Sequence, residues 1–425
     1  MTARQEPQAV AGRPPNKRVY HHLFFAQVIA LLSTGVATVA LALLAYKLAG
    51  AEAGAVMGTA LAIKMLAYVV IAPVAAAFAE RLPRRALLVV LDLVRAAVAL
   101  TLPFVTQVWH IYLLILVFQA ASAAFTPAFQ ATIPDLLPDE EDYNRALSRS
   151  RLAHEFENLA SPALAAGLLL IISFPGLFVG TTLGFLLSAA LILRVILPSA
   201  TLTLGGGVLQ RTTQGLGIFL ATPRLRGLLG LNLATAAATA MVTVNTVVLV
   251  QAWLGLGERA TGLALAAFGA GSVAGAVAVL KYVPRWSYRR TMLAGGGLAA
   301  AGLLVGIVLP GYLTLLALWL GLGLGCALAT TPAGSLLLQS AAPGDRQAAY
   351  AAQFALAHAG LLLTYPLAGW LGATAGMGAT FGALGLMAGA ALLAAWRLWP
   401  RHDPMPVSGV DPKRDDGIWR PDGTG

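Results

Sequence analysis

Charged residues are scarce in this sequence: Asp, Glu, Lys and Arg make up 11% of its 425 residues, whereas soluble globular proteins average about 25%. Cysteine is rarer still. Cys326 is the single one, which excludes a disulfide framework and a thiolate metal cluster. No H-E-x-x-H, G-x-S-x-G or phosphate-binding P-loop pattern occurs. The sequence therefore predicts neither an enzyme of these classes nor a protein that consumes ATP itself.

Long apolar stretches take the place of the missing charge, since 58% of the residues are hydrophobic. A membrane helix needs about 20 mostly apolar residues, because its backbone N–H and C=O groups must all pair within the segment. Twelve stretches meet this requirement. Their expected limits are 23–49, 54–79, 86–105, 110–131, 146–170, 174–197, 227–251, 260–281, 291–309, 313–336, 346–371 and 374–397.

The basic residues predict the orientation of these helices, because Lys and Arg are enriched in cytoplasmic loops. All but four of the 28 fall in segments that are cytoplasmic if the N-terminus is inside. The exceptions are Lys47 and Arg259 in outer loops and Lys64 and Arg95 within spans. We therefore expect a multi-pass protein of the inner (plasma) membrane with both termini cytoplasmic. Its net charge of +10 then needs no nucleic acid partner, and we expect a monomer whose partners are the lipid bilayer and a small-molecule substrate.

An internal repeat relates the two halves of the chain. A shift of 204 residues places the first six spans on the last six, and it aligns His154 with His358 and Pro162 with Pro366. The expected fold is an all-α membrane protein with 12 transmembrane helices in two pseudo-symmetric six-helix bundles. Its expected parts are a cytoplasmic N-terminal segment 1–22, a first bundle 23–197, a cytoplasmic linker 198–226, a second bundle 227–397 and a disordered cytoplasmic tail 398–425. An amphipathic stretch, 215–229, is expected at the membrane surface.

Two motifs resemble signatures of the major facilitator superfamily. The loop after the second span, Ala76-Ala77-Phe78-Ala79-Glu80-Arg81-Leu82-Pro83-Arg84-Arg85, is similar to that family's G-x-x-x-D-R-x-G-R-R. The fifth span has Glu157-x-x-x-Ser161-Pro162, which is similar to the start of the G-x-x-x-G-P-x-x-G-G pattern of the family's antiporters. In the fourth span Leu116 occupies the position of an antiporter arginine, three residues before Gln119.

This resemblance, strongest to bacterial efflux members, implies a secondary active transporter that works by alternating access. It implies export of a drug, siderophore or metabolite in exchange for protons, with no enzymatic activity and no cofactor besides the proton gradient. Export of a divalent metal of the nickel type is an alternative. A membrane receptor or channel that does not transport is the alternative from another class. The gating loop and its neighbourhood comprise Glu80, Arg81, Arg84, Arg85, Asp92 and Arg95.

Ionisable residues inside the spans are candidates for function, because a charge at the centre of a membrane helix costs about 2.5–3.5 kcal/mol. Asp92 and Arg95 lie three residues apart, hence on one face of the third span. We interpret them as an ion pair that braces the cytoplasmic gate, with Asp92 close to the region of Arg84 and Arg85.

Glu157 and His154 share a face of the fifth span and are the first candidates for proton coupling. Alternatively, Glu157 only neutralises Lys64 from across the bundle. His358 is expected to approach the central cavity from the other half. No resident metal is predicted; under the metal-export alternative the two imidazoles and Glu157 would bind the transported ion.

Dispersed polar groups are expected to line a central cavity and bind an organic solute. They are Lys64, Gln27, Gln119, Asn232, Asn245, His358, Gln353 and Tyr365. Pro162 and Pro366, at matching positions of the two halves, are predicted to act as hinges.

Overall fold

The computed structural model describes residues 16–79, 83–137, 139–197, 208–282, 287–308, 311–341 and 345–400. Within these ranges the chain forms fourteen α-helices. The first half comprises α1 (Lys17–Ala49), α2 (Ala53–Ala79), α3 (Arg84–Thr101), α4 (Val108–Leu136), α5 (Glu140–Leu169) and α6 (Phe174–Leu193). The linker contains α7 (Val208–Ala221), and the second half comprises α8 (Pro223–Val247), α9 (Glu258–Tyr282), α10 (Tyr288–Val305), α11 (Tyr312–Thr330), α12 (Ala333–Ser340), α13 (Arg346–Thr374) and α14 (Met377–Leu398).

The fourteen helices correspond to twelve membrane crossings. The consecutive helices α11 and α12 together form one crossing, and α7 belongs to the linker between the two sets of six. By length and composition alone, ten stretches of the described chain qualify as spans. One of them, Lys17–Ile71, contains most of both α1 and α2, and α5 is missing from the set. The first 20 residues of α5 carry many charged side chains, which lower its hydropathy although its length suffices.

The linker differs from its predicted form. The amphipathic stretch 215–229 is not one surface helix, because α7 ends at Ala221 and α8 begins at Pro223. Proline is well tolerated in the first turn of a helix, which explains the new start at that residue. Gly215 of α7 packs directly against the Ala348 carbonyl of α13, so α7 contacts the second bundle. Residues 1–15 and 401–425, predicted to be cytoplasmic, lie outside the described ranges.

The internal duplication is visible in details of the structure. Arg85 at the start of α3 donates to the Leu193 carbonyl at the end of α6. Arg289, 204 positions later, donates at 3.0 Å to the carbonyls of Trp396 and Trp399 at the end of α14. In both halves an arginine thus donates to carbonyl groups at the C-terminus of the sixth crossing. The last C=O groups of a helix have no N–H partner within the helix, and a positive charge is favourable there.

The chain turns between the first two crossings of each half also correspond. Gly50 has a φ of 54° and Gly255 a φ of 68°, a left-handed conformation that glycine adopts without steric cost. These matched turns, together with the matched arginine caps, support two copies of one six-helix plan.

Small residues bring the two bundles together at the ends that the charge distribution predicts to be outer. A Cβ atom at Gly58 of α2 would lie 2.5 Å from the Tyr365 carbonyl oxygen and 3.2 Å from the Gly369 Cα of α13. The same plan recurs between α9 and α5, where a Cβ atom at Gly262 would lie 3.3 Å from the Ala166 Cα. Such residues let helix backbones approach closely in a membrane. We call these two contacts the outer seal.

One helix break coincides with a proline in the described part of the chain. The break in the second half falls at Thr331 and Pro332, which separate α11 from α12. By contrast, α5 runs unbroken through Pro162 and α13 through Pro366. The hinge roles of Pro162 and Pro366 stay predictions.

Candidate functional site

A charged pair lies inside the first bundle, far from water. Asp92 and Arg95 of α3 form an ion pair and are 0% and 2% exposed. Ser188 of α6 donates to the second Asp92 oxygen at 2.6 Å. The Arg95 guanidinium lies 4.4 Å from the ring centre of Phe125 on α4 and 4.5 Å from that of Phe185 on α6. The pair therefore joins α3, α4 and α6 through ionic, hydrogen-bond and cation–π contacts.

The predicted proximity of Asp92 to the gating loop is wrong. Arg84 forms an ion pair with Asp135 at the end of α4, while Arg85 caps α6. Asp92 is two helical turns further along α3 and faces Ser188 instead. Asp135 is a residue that the sequence reasoning missed, although it directly follows a proline at the predicted cytoplasmic end of α4. Glu80 and Arg81 lie outside the described residues.

The predicted cytoplasmic end of the first bundle is held by a further ion pair. Lys17 at the start of α1 bonds to Asp142 at 2.8 Å in the first turn of α5, ahead of the predicted span. Arg145 approaches the same carboxylate at 3.2 Å. The hydrogen bond from Lys17 is the main cause that holds the pKa of Asp142 below its usual value. These contacts fasten α1 to α5.

Aromatic rings from both bundles meet at a central point between α2 and α13. The Tyr68 ring stacks on the His358 ring with centroids 5.5 Å apart and an interplanar angle of 28°. The Phe354 ring centroid lies 3.9 Å from that of His358, whose Nδ1 is 2.8 Å from the Phe354 carbonyl oxygen. Because Tyr68 belongs to the first bundle and His358 to the second, this stack spans the boundary between them.

Ionisable groups surround this stack. His154 of α5 lies within electrostatic range of both His358 and Lys64, and Glu157 lies within range of Tyr68 and Tyr365. The structure thus brings together predicted residues from α2, α5 and α13. We call this set the central cluster; it comprises Lys64, Tyr68, His154, Glu157, Phe354, His358 and Tyr365.

Two members of the central cluster are incompletely paired among the described residues. Lys64 is half-buried and makes no ion pair or hydrogen bond there. His154 Nε2 is buried without a hydrogen-bond partner in the same part of the chain. The alternative in which Glu157 neutralises Lys64 from across the bundle stays a prediction.

Three predicted cavity residues form hydrogen bonds that hold helices together. Gln27 is 1% exposed and donates to Ser150 of α5 at 2.7 Å. Asn232 of α8 and Gln353 of α13 exchange two amide hydrogen bonds of 3.0 and 3.1 Å. Buried amides must be paired, and in these helices the partners lie on neighbouring helices of the same bundle.

Two further predicted cavity residues lie apart from the central cluster. Asn245 is fully buried and donates to the Ala368 carbonyl at 3.0 Å, while its own oxygen faces Gly54 at the outer seal. Gln119 is 3% exposed and lines a small pocket within the first bundle, beside Thr34 and Thr38. Neither side chain belongs to the central cluster.

The metal alternative finds little support in these contacts. No group of three or more His, Cys, Asp or Glu side chains suited to a metal ion occurs in the part of the chain that the structure describes. Two imidazoles near one ammonium also form a poor environment for a dication, because the positive charge of Lys64 opposes it.

Comparisons with known proteins agree with this architecture. The family model described as Major Facilitator Superfamily matches residues 23–256 and 228–418. YfiS of Bacillus subtilis (strain 168), described as an uncharacterized MFS-type transporter, is 27% identical over 127 residues. That match spans 30% of this chain and 30% of the length of YfiS.

Solved structures show the same fold. A bacterial homologue of the human lysosomal transporter Spinster, inward-facing and unoccupied, has a TM-score of 0.67 at 13% identity, over 92% of this chain and 100% of that one. The nucleoside transporter NupG has a TM-score of 0.65 at 12% identity, over 90% and 100%. At such identities the likeness concerns the fold alone, and it confirms the predicted two bundles of six helices.

Proposed function

Because this chain belongs to the major facilitator superfamily and is a membrane transporter of that type, we propose that it exports a small solute by alternating access in exchange for protons. The solute is an organic molecule such as a drug, a siderophore or a metabolite. The two bundles rock about the central cluster, and the outer seal is the gate that opens to release the solute. The protein acts as a monomer in the inner membrane with both termini in the cytoplasm.

The observation that carries this proposal is the position of the ionisable groups. Glu157 and His154 of the first bundle lie within electrostatic range of Tyr365 and His358 of the second. A charge change on Glu157 therefore alters the energy of the contact between the two bundles. That is the requirement for coupling protonation to a change of conformation, because a bound proton shifts an equilibrium only if its energy differs between the two states.

Everted membrane vesicles test the proposal. Vesicles from an exporter-deficient host that expresses the protein are energised to acidify their lumen, and a fluorescent dye reports the pH gradient. Addition of a transported compound should partly collapse the gradient, because protons leave as the compound enters. The compounds are a panel of drugs, siderophores and nickel chloride. Collapse of the pH gradient by nickel alone contradicts the proposed solute class. Uptake of a compound without any change in the pH gradient contradicts antiport.

Glu157→Gln should abolish gradient-driven uptake while sparing exchange of labelled for unlabelled compound, because the amide cannot release a proton. Glu52→Gln is the matched control, since Glu52 is exposed in the turn after α1. Gradient-driven uptake at the wild-type rate in Glu157→Gln would remove this residue from the coupling mechanism.

A further inference from the structure

An apolar groove lies on the membrane-facing surface of the second bundle, between α10 and α14. Its volume is about 390 Å³, which is within the range of roughly 300–1,000 Å³ that is typical of small-molecule sites. It is lined by Leu293, Gly389, Leu392, Leu393 and Trp396. Leu393 and Trp396 are each 46% exposed, so the groove opens towards the surrounding lipid.

The groove lies in the half of the membrane that the charge distribution predicts to be cytoplasmic. Leu293 is in the second turn of α10, which begins at Tyr288. Trp396 is in the last turn of α14, which ends at Leu398. From Gly389 to Trp396 the groove extends over about 10 Å, at 1.5 Å per helical residue. Because tryptophan is enriched at membrane–water interfaces, we expect one end of the groove at the level of the lipid headgroups and the rest beside the acyl chains.

Two arginines flank the end of the groove that is nearer the cytoplasm. Arg290 precedes Leu293 by three residues, and Arg397 follows Leu393 by four. Each arginine therefore lies on the groove face of its helix, one turn further towards the cytoplasm. Both side chains are exposed. Neither forms an ion pair or a side-chain hydrogen bond with the residues that the structure describes.

The neighbouring Arg289 shows that the two arginines lie at the same end of the groove. It donates at 3.0 Å to the carbonyls of Trp396 and Trp399, so the start of α10 contacts the end of α14. Arg289 also compensates the negative end of the α14 helix. Arg290 and Arg397 are therefore left to attract an anion beside the groove.

We infer that this groove binds an anionic phospholipid of the inner leaflet, of the phosphatidylglycerol class. The lipid phosphate lies between Arg290 and Arg397, since guanidinium groups match phosphate geometry. One acyl chain lies in the groove against Leu393 and Trp396. Basic pockets between membrane helices on the cytoplasmic side suit anionic headgroups in general, whereas the ammonium of phosphatidylethanolamine would be repelled by the same arginines. The inference concerns the surface of the second bundle and does not depend on the proposed export.

Native mass spectrometry of the delipidated protein in detergent tests the headgroup. The probes are phosphatidylglycerol and phosphatidylethanolamine with identical acyl chains. Phosphatidylglycerol should bind at least about tenfold more tightly, because each arginine near an anionic headgroup contributes about fivefold. The double variant, Arg290→Gln with Arg397→Gln, should remove this preference. Arg194→Gln is the control, because Arg194 is exposed at the end of α6, and Ala86 corresponds to Arg290 in that half at the 204-residue shift.

Gly389→Leu tests the acyl chain. A Cβ atom at Gly389 meets nothing within 4 Å, so the leucine side chain enters the groove without disturbing the packing of the helices. It should lower the affinity for phosphatidylglycerol at least about fourfold, which corresponds to the displacement of one CH₂ group from apolar contact. Gly180→Leu is the matched control, because a Cβ atom at Gly180 on α6 also meets nothing within 4 Å; it should leave the affinity unchanged.

Equal binding of the two phospholipids overturns the inference. Wild-type affinity for phosphatidylglycerol in the double arginine variant, or in Gly389→Leu, contradicts it as well. An equal loss of affinity in Arg194→Gln would mean a general attraction between a basic protein and anionic lipid, without a site at this groove. A dimer that Gly389→Leu abolishes would assign the groove to a second copy of the chain and refute the lipid site.

Discussion

The buried pair of Asp92 and Arg95 makes a strong energetic prediction. Both side chains are almost inaccessible, at 0% and 2% exposure, so removal of one leaves the other as an unpaired buried charge. Such a change costs about 3–5 kcal/mol. Asp92→Leu should therefore lower the free energy of unfolding by this amount, and Arg95→Met by a similar amount, since Ser188 alone remains to bond Asp92.

The double variant, Asp92→Leu with Arg95→Met, should be more stable than either single variant. Replacing a buried ion pair by apolar side chains of similar volume is often neutral, so the remaining loss is mainly that of the cation–π contacts of Arg95 with Phe125 and Phe185. These contacts contribute about 1–2 kcal/mol. The expected coupling energy between the two sites is therefore at least about 3 kcal/mol.

Unfolding in mixed micelles of increasing denaturing detergent measures these differences. Far-UV circular dichroism reports the helices of both bundles, while reaction of Cys326 with a maleimide dye reports α11 in the second bundle. A double variant less stable than both single variants would refute the reasoning. Single variants within about 1 kcal/mol of the wild type would refute it too, because the pair would then not be isolated from water.

Two further predictions concern the ends of the bundles. Gly58→Val should force α2 away from the α13 backbone at the outer seal. In a protein that also carries Tyr365→Cys and Cys326→Ser, the cysteine should then react faster with an impermeant thiol reagent added outside. Gly180→Val is the control, because a Cβ atom at Gly180 meets nothing within 4 Å, and it should leave the reaction rate unchanged. Lys17→Met should lower the thermal midpoint of unfolding near neutral pH. The difference from the wild type should vanish once the pH falls below the lowered folded-state pKa of Asp142, because a carboxylate with a lowered pKa stabilises the protein above its unfolded pKa and loses that contribution on protonation. A difference that persists in acid would show that Lys17 acts through packing instead.

The helices of this protein can be predicted closely from its sequence. The predicted limits 54–79 and 346–371, for instance, correspond to α2 (Ala53–Ala79) and α13 (Arg346–Thr374). Hydrophobicity locates a membrane helix well, since its backbone must be satisfied within the segment. The predicted start of α5, at 146, is later than its observed start at Glu140, because the first turns of this helix are charged and lie outside the predicted apolar stretch.

The facing of polar side chains is far less predictable. A helix that is apolar all round has no periodic pattern that distinguishes its cavity face from its packing face. Gln27 and Lys64 therefore look alike as cavity candidates, yet Gln27 is bonded to Ser150 while Lys64 belongs to the central cluster. The pair of Asp92 with Arg95 is recognisable because both members lie on one helix, whereas Arg84 with Asp135 joins residues 51 positions apart.

The two halves share their scaffold but not their charges. The caps of Arg85 and Arg289 and the seals of Gly58 and Gly262 are repeated. At the 204-residue shift, however, Lys64, Glu157, Asp92 and Arg95 correspond to Phe268, Leu361, Gly296 and Ala299. Among these ionisable positions, His154 alone has a counterpart, His358. In the proposed cycle, the charge changes therefore arise on the first bundle. The stack of Tyr68 on His358, which spans the two bundles, is then the proposed mechanical link between protonation and rocking.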